Sequence, residues 1–234
     1  MPIVLHRLPE VLETYFLDEA RTIPTAYWSC ATGGSGFLGP GMRRLVGKGI
    51  MAGWALTVSA PPGDEVAGYL ALQFMLDTAK RGRWVMVVAP PEGAEPSGVA
   101  VWSHIQCAMG WEIGFVGAVV AGYVRDIDEI TLKLEKDFNV FGYGGSPIAA
   151  SQSPEGEVGG PVRINRVTVR TGDLVVGDSD GVICVPKDQV ESAAEKCRTR
   201  IIDEVNLLQH VREGMGAVDV MGLGDLLAGQ VDVV

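Results

Sequence analysis

The chain has 234 residues, 47% of them hydrophobic and 21% charged, with 31 glycines, 13 prolines and a formal net charge of −10. It is long enough to bury one core and too apolar for a disordered protein. Its Lys and Arg are too few and too scattered to hold a nucleic-acid backbone, although one or two local cations would suffice for a small anion.

The opening residues, with Glu10, Glu13, Asp18 and Glu19 among apolar ones, lack the basic-then-apolar order of an export signal. Leu8, Val11, Leu12, Tyr15 and Phe16 recur at helical spacing and predict an amphipathic helix over residues 8–20. A Gly-rich connector follows at 33–41; without the lysine and Ser/Thr of a phosphate loop it reads as a flexible loop. Strands are expected at 48–60 and 84–90, the second a continuous apolar run of the kind covered on both faces, with a helix at about 65–80 between them. A helix near 99–111 and the apolar stretch 115–122 come next; that stretch is interrupted by glycine, too short for a bilayer, and reads as a buried strand. A helical or turn segment from Asp126 to about Leu134 and a short strand at 138–143 lead into a Gly/Ser/Pro-rich run, 144–160. Strand segments at 161–170 and 173–186 precede a helix from Lys187 to about Arg212, along which Val190, Ala193, Ala194, Cys197, Ile201, Ile202, Val205 and Leu208 form one stripe. Alternating helices and strands early, with hairpins late, predict a layered α/β domain with a mixed sheet.

Cys30, Cys107, Cys184 and Cys197 stand far apart without a Cys-x-x-Cys pair. Free thiols in a reducing cytoplasm are expected, with neither a zinc site nor a disulfide framework and no membrane partner.

Two motifs carry chemistry. Gly172-Asp173-Leu174-Val175-Val176-Gly177-Asp178-Ser179-Asp180-Gly181-Val182-Ile183-Cys184-Val185-Pro186 sets two β-branched segments around an acidic Asp-Gly turn, in which Asp178 and Asp180 can accept backbone N–H groups. Gly122-Tyr123-Val124-Arg125-Asp126-Ile127 directly follows the apolar strand, so Arg125 and Asp126 should emerge at its carboxyl end, where open α/β sheets place ligand crevices. By themselves these two residues serve either as an ion pair at a strand end or as a carboxylate clamp beside a ligand for a hard cation. Both motifs resemble those of the RraA-like superfamily, which joins regulators of ribonuclease E activity to 4-hydroxy-4-methyl-2-oxoglutarate aldolases. The resemblance runs from about residue 50 to the C-terminus, including Gly216-Ala217-Val218-Asp219 and Gly222-Leu223; before residue 50, Ser29-Cys30-Ala31 lacks the usual aspartate.

The resemblance implies a β/β/α swivelling-type domain over residues 1–234. Residues 1–45 would form the N-terminal helix and Gly-rich connector and residues 187–234 a C-terminal helical extension, the whole assembling as a homotrimer or two stacked trimers with sites at subunit interfaces. It also implies a divalent-metal-dependent lyase on a 2-oxo acid, by retro-aldol cleavage releasing pyruvate or by oxaloacetate decarboxylation. Arg125 would bind the substrate carboxylate and Asp126 would anchor Mg²⁺ or Mn²⁺. Backbone N–H groups at a helix start, matched here by Trp102-Ser103-His104-Ile105-Gln106, would complete the cradle. The usual Gly is Ser103 and the usual acid is His104; the imidazole can act as acid/base or ligand in its place, or simply cap and pack. A glutamate from a neighbouring C-terminal helix, Glu195 or Glu204, would complete the metal site. The same superfamily offers an alternative, a non-catalytic protein-binding regulator of the ribonuclease E inhibitor type.

Overall fold

The computed structural model describes residues 2–11, 15–78, 82–134 and 138–230. The elements, in chain order, are β1 (Val4–Leu5), α1 (Tyr15–Ala20), α2 (Thr25–Ala31), β2 (Arg43–Val46), β3 (Met51–Ser59), α3 (Val66–Thr78), β4 (Trp84–Ala89), β5 (Ala100–Trp102), α4 (His104–Glu112), β6 (Phe115–Val124), α5 (Ile127–Lys133), β7 (Asn139–Gly145), β8 (Glu157–Val158), β9 (Val162–Ile164), β10 (Val167–Val169), β11 (Leu174–Gly177), β12 (Val182–Val185), α6 (Val190–Arg212), α7 (Ala217–Val220) and α8 (Gly224–Leu227).

The sheet is mixed. β3, β4, β6 and β7 run parallel, while β2 lies antiparallel on β7 and the β11–β12 hairpin antiparallel on β3. Both faces of its middle are covered, which explains why β4 is apolar throughout. Trp84, Met86 and Val88 join one buried cluster with Leu72 and Met75 of α3, Cys107 of α4, Ile130 of α5 and Ala193 and Cys197 of α6. Val85, Val87 and Ala89 face the other way, into a second cluster closed by Val162, Ile164, Val167 and Val169 of the β9–β10 hairpin. The layered α/β architecture with a mixed sheet and a C-terminal helix is therefore present.

Several elements differ from the periodicity-based expectation. The first helix is confined to Tyr15–Ala20; residues 8–11 are irregular, and Leu12 of its predicted stripe lies outside the described residues. α2 was not anticipated: a single short helix whose entry is set by Pro24 carries too little periodicity to stand out. The segment expected to open a helix at residue 99 instead forms β5, because Val101 and Trp102 prefer the pleated edge of β6; the helix starts only after Ser103. The C-terminal stripe divides in two. Val190, Ala193, Ala194 and Cys197 are buried against the domain, whereas Ile202, Val205 and Leu208 are 61%, 60% and 46% exposed.

The 172–186 segment is the expected hairpin, pairing Leu174 with Val185 and Gly177 with Val182, and its turn uses Gly181 at φ 142°. Asp178 does more than close that turn. Its carboxylate accepts the N–H of Asp180 at 2.9 Å, and also the N–H and hydroxyl of Thr25 at 2.8 and 2.7 Å, tying the hairpin to the start of α2. Hydrogen bonds to a charged group are each worth about 1.5–3 kcal/mol, so Asp178→Ala is expected to cost about 2 kcal/mol, read as a lower denaturation midpoint at unchanged m-value.

Candidate functional site

The site is assembled by strand register. Trp102 of β5 pairs with Val124 of β6, and the Arg125 N–H donates to the Trp102 carbonyl at 3.0 Å. Both chains leave the sheet there, so Ser103 with the first turn of α4 and Arg125 with Asp126 emerge side by side. At the same sheet end an apolar cavity opens between Ala60, Pro61, Val88, Val99, Val101 and Gly122.

Ser103 is extended, at φ −147° and ψ 176°, in the capping position of α4, yet its hydroxyl does not cap the helix. It donates instead to Gln106 Oε1 at 3.1 Å, and Gln106 Nε2 in turn reaches the Val101 carbonyl at 3.4 Å. The first helical bond runs from the Cys107 N–H to the Ser103 carbonyl at 3.1 Å. The N–H groups of His104, Ile105 and Gln106 thus have no intrahelical acceptor, and the positive end of α4 opens beside Arg125.

Asp126 holds a left-handed backbone, φ 64° and ψ 31°, between β6 and α5. Such a conformation costs a non-glycine residue about 1 kcal/mol or more and turns its side chain out of the path of the helix. The Asp126 carboxylate is 38% exposed, and its Oδ2 lies 3.7 Å from Arg125 Nε, an ion pair longer than a hydrogen bond. The Arg125 side chain is only 26% exposed, yet no carboxylate or carbonyl among the described residues accepts a hydrogen bond from its guanidinium. A donor fork that reaches solvent and meets no acceptor among the described residues suits an incoming carboxylate.

Two residues of the site carry no distinctive signal in the sequence. Glu65 and Tyr69 lie four apart, hence on one face at the start of α3, and the missing side chain of Gly68 lets that face approach α4: a Cβ there would lie 3.2 Å from Gln106 Nε2 and 3.4 Å from the Trp102 ring. The Tyr69 hydroxyl is pushed above its ordinary value by burial and by the Glu65 charge, against the lowering effects of its hydrogen bond with Ser103 and of Arg125; Asp126 adds to the rise. Glu65 is 6% exposed and accepts from Gln152 Nε2 at 3.3 Å. The i, i+4 spacing of an acid and a tyrosine was the only signal in the sequence, and it is common on helices.

The other predicted residues are placed as follows. His104 is half-buried on the first turn of α4, near Glu129 of α5, whose carboxyl is held low first by Lys133 and also by His104. Ile105 is 55% exposed. Glu195 and Glu204 lie on α6, where Glu204 accepts the Tyr27 hydroxyl at 2.8 Å, and neither is brought to Asp126 within the protomer. Among the described residues no three His, Cys, Asp or Glu side chains converge as a metal cage. Cys107 behind the site is no nucleophile: burial pushes its thiol up to about 12. No helix among the described residues is long and apolar enough to cross a membrane.

The profile of the RraA-like family, described as Aldolase/RraA, matches residues 18–184. The chain belongs to this family. The match begins well before residue 50, upstream of the motif-based resemblance. Among similar proteins, one of Halalkalibacterium halodurans named "Putative 4-hydroxy-4-methyl-2-oxoglutarate aldolase" is 30% identical over 82% of this chain and 86% of its own. Among solved folds, an uncharacterized protein from Pseudomonas syringae superposes with a TM-score of 0.71 at 23% identity, over 91% of this chain and all of that one. The RNA-processing inhibitor RraA from Thermus thermophilus gives 0.55 at 22% identity, over 70% and 93%. These two likenesses establish the RraA-type fold.

The strain at Asp126 is measurable. Asp126→Gly relieves the left-handed penalty and Asp126→Ala retains it, so urea denaturation should find the alanine variant less stable than the glycine variant by about 1 kcal/mol. Equal stabilities would show that the turn relaxes.

Proposed function

We propose that the chain is a divalent-metal-dependent lyase of a 2-oxo acid, cleaving a 4-hydroxy-2-oxo acid to pyruvate or decarboxylating oxaloacetate. The observation that carries this reading is the half-buried Arg125 side chain, whose guanidinium has no hydrogen-bond acceptor among the described residues, set beside the N–H groups of His104, Ile105 and Gln106 that have no intrahelical acceptor. Aldolase names among relatives at about the 30% level point the same way.

In this reading Arg125 grips the substrate carboxylate through two parallel hydrogen bonds, and the α4 terminus receives the second oxygen-bearing end of the 2-oxo acid. Ser103 and Gln106 hold that terminus open by bonding each other rather than capping it. The residues fit a hard cation of the Mg²⁺ or Mn²⁺ kind: Asp126 offers an exposed carboxylate that accepts no hydrogen bond from a described residue, and such ions bind through one or two carboxylates while keeping several waters. When bound, the ion supplies Lewis-acid polarisation of the 2-oxo group. The exposed Ile202, Val205 and Leu208 support assembly as a trimer or hexamer, with Glu195 or Glu204 of a neighbour as a further ligand.

Pyruvate release from oxaloacetate and from 4-hydroxy-4-methyl-2-oxoglutarate tests the reading. Activity should vanish in EDTA and return with Mg²⁺ or Mn²⁺, and no release from either compound would favour the protein-binding regulator instead. Arg125→Lys keeps the charge and loses the fork, so kcat/KM should fall about 10- to 100-fold; a wild-type value would leave only an ion pair at a strand end. Light scattering at micromolar concentration should find a trimer or a multiple of it, and a monomer would remove the shared-site arrangement.

A further inference from the structure

The anion cradle leaves two polar groups of the site without a task. Glu65 is a buried carboxylate whose one side-chain hydrogen bond among the described residues, from Gln152, is 3.3 Å long. Its neighbour Asp64, 1% exposed, shows what a structural carboxylate needs here: it accepts the N–H of Val66 at 3.0 Å, the N–H and hydroxyl of Ser153 at 2.6 and 2.9 Å and the hydroxyl of Ser151 at 3.2 Å. Burying a carboxylate with as little compensation as Glu65 has is costly. One turn along the same face, the Tyr69 phenol lies near Ser103 at the mouth of the cradle, within the fields of Arg125 and Asp126. Gly68 keeps this face of α3 against Gln106 and Trp102, so the phenol is carried by rigid elements on both sides.

We propose that Tyr69 is the proton donor of the C–C cleavage, contacting the bound 2-oxo acid, with Glu65 as a positioning residue acting through it. This inference rests on the lyase reading above. Cleavage breaks the bond between C3 and C4 of the 2-oxo acid and leaves the electron pair on C3 as the pyruvate enolate; C4 departs as carbon dioxide from oxaloacetate, or as a carbonyl from a 4-hydroxy-2-oxo acid, whose C4 hydroxyl gives its proton to solvent. The Tyr69 O–H bond then breaks, a C3–H bond forms to give pyruvate, and the tyrosinate takes a proton from water, so neither an oxidant nor a co-reactant is required. The positive Arg125 nearby favours the transient tyrosinate, while the negative Glu65 returns the group to its protonated form before the next turnover.

The same proton transfer run backwards exchanges the methyl hydrogens of pyruvate with solvent. The test therefore follows that exchange in D₂O by proton NMR, with Mg²⁺ present, alongside pyruvate release from oxaloacetate, for the wild type, Tyr69→Phe and Glu65→Gln. For Tyr69→Phe, kcat and the exchange rate should both fall about 100-fold while KM stays within about threefold, a split that a merely structural tyrosine would not give. Exchange at the wild-type rate in this variant overturns the proposal. Should Tyr69→Phe fail to fold, Glu65→Gln, which keeps shape, decides: about tenfold slower exchange at unchanged KM supports the pair, and an unchanged rate overturns it. A wild type that releases pyruvate while both variants match it defeats only this inference. A wild type that neither releases pyruvate nor exchanges its protons defeats the lyase reading as well.

Discussion

The three-residue strand β5 is the constraint on which the site depends. Its pairing with the end of β6 fixes where α4 begins, because the bond from the Arg125 N–H to the Trp102 carbonyl leaves Ser103 no choice but to leave the sheet beside Arg125. A helix begun one residue earlier would turn its free N–H groups by about 100° around its axis and point them away from the guanidinium. The cradle is thus a product of sheet register rather than of any side chain within it. This also accounts for a chain that places Ser103 and His104 in the first turn and still presents backbone donors there: those donors belong to the helix end.

The polar residues around the cradle are divided between holding and waiting. Ser103 and Gln106 satisfy each other, and Asp64 is saturated by the 151–153 segment, so this framework is rigid and fully bonded. Arg125, Asp126 and the α4 N–H groups are left with open valences at the one place where the sheet ends. The left-handed Asp126 places backbone strain on the same few residues. Gathering strain and open donors at one point, beside a framework in which Ser103 pairs with Gln106 and Asp64 is saturated, suits a binding site, whereas a fold selected for stability alone would pair Arg125 fully and place glycine or asparagine at residue 126.

Legibility in sequence followed contiguity. The layered α/β plan, β3, β4, β6 and the β11–β12 hairpin could be read because each is a continuous or strictly alternating apolar run. Arg125 and Asp126 could be placed at a strand end because they follow directly on such a run. Glu65 and Tyr69 could not, since nothing local distinguishes them from any acid and tyrosine on a helix; only the packing of α3 on α4 brings them to Ser103. β5 was absorbed into the predicted helix because three strand residues are fewer than either period needs to declare itself. The C-terminal stripe was read as one surface, but periodicity reports which residues share a face and not where the covering domain stops. That limit falls near Ile201, and a helix of 23 residues, about 34 Å long, carries the rest of the stripe past it.

Formal charge gives a separate argument about what the site can accept. Among the described residues, the charges that act on Tyr69 are one guanidinium, Arg125, and two carboxylates, Glu65 and Asp126, a sum of one negative charge within a chain already at −10. A 2-oxo monocarboxylate would raise the local total to two negative charges, and oxaloacetate or a 4-hydroxy-2-oxo diacid to three. One arginine cannot balance that, and the partial charge of a helix terminus contributes only about half a unit. A divalent cation entering with the substrate neutralises the monoanion case and leaves one negative charge for a diacid. Cleavage by itself leaves that charge in place, because the electron pair stays on C3 as the enolate; it is removed when C3 takes a proton and the enolate becomes the pyruvate monoanion. The electrostatics of the pocket therefore favour the protonated product over the bound diacid and draw the enolate toward protonation, in the direction that lyase chemistry requires.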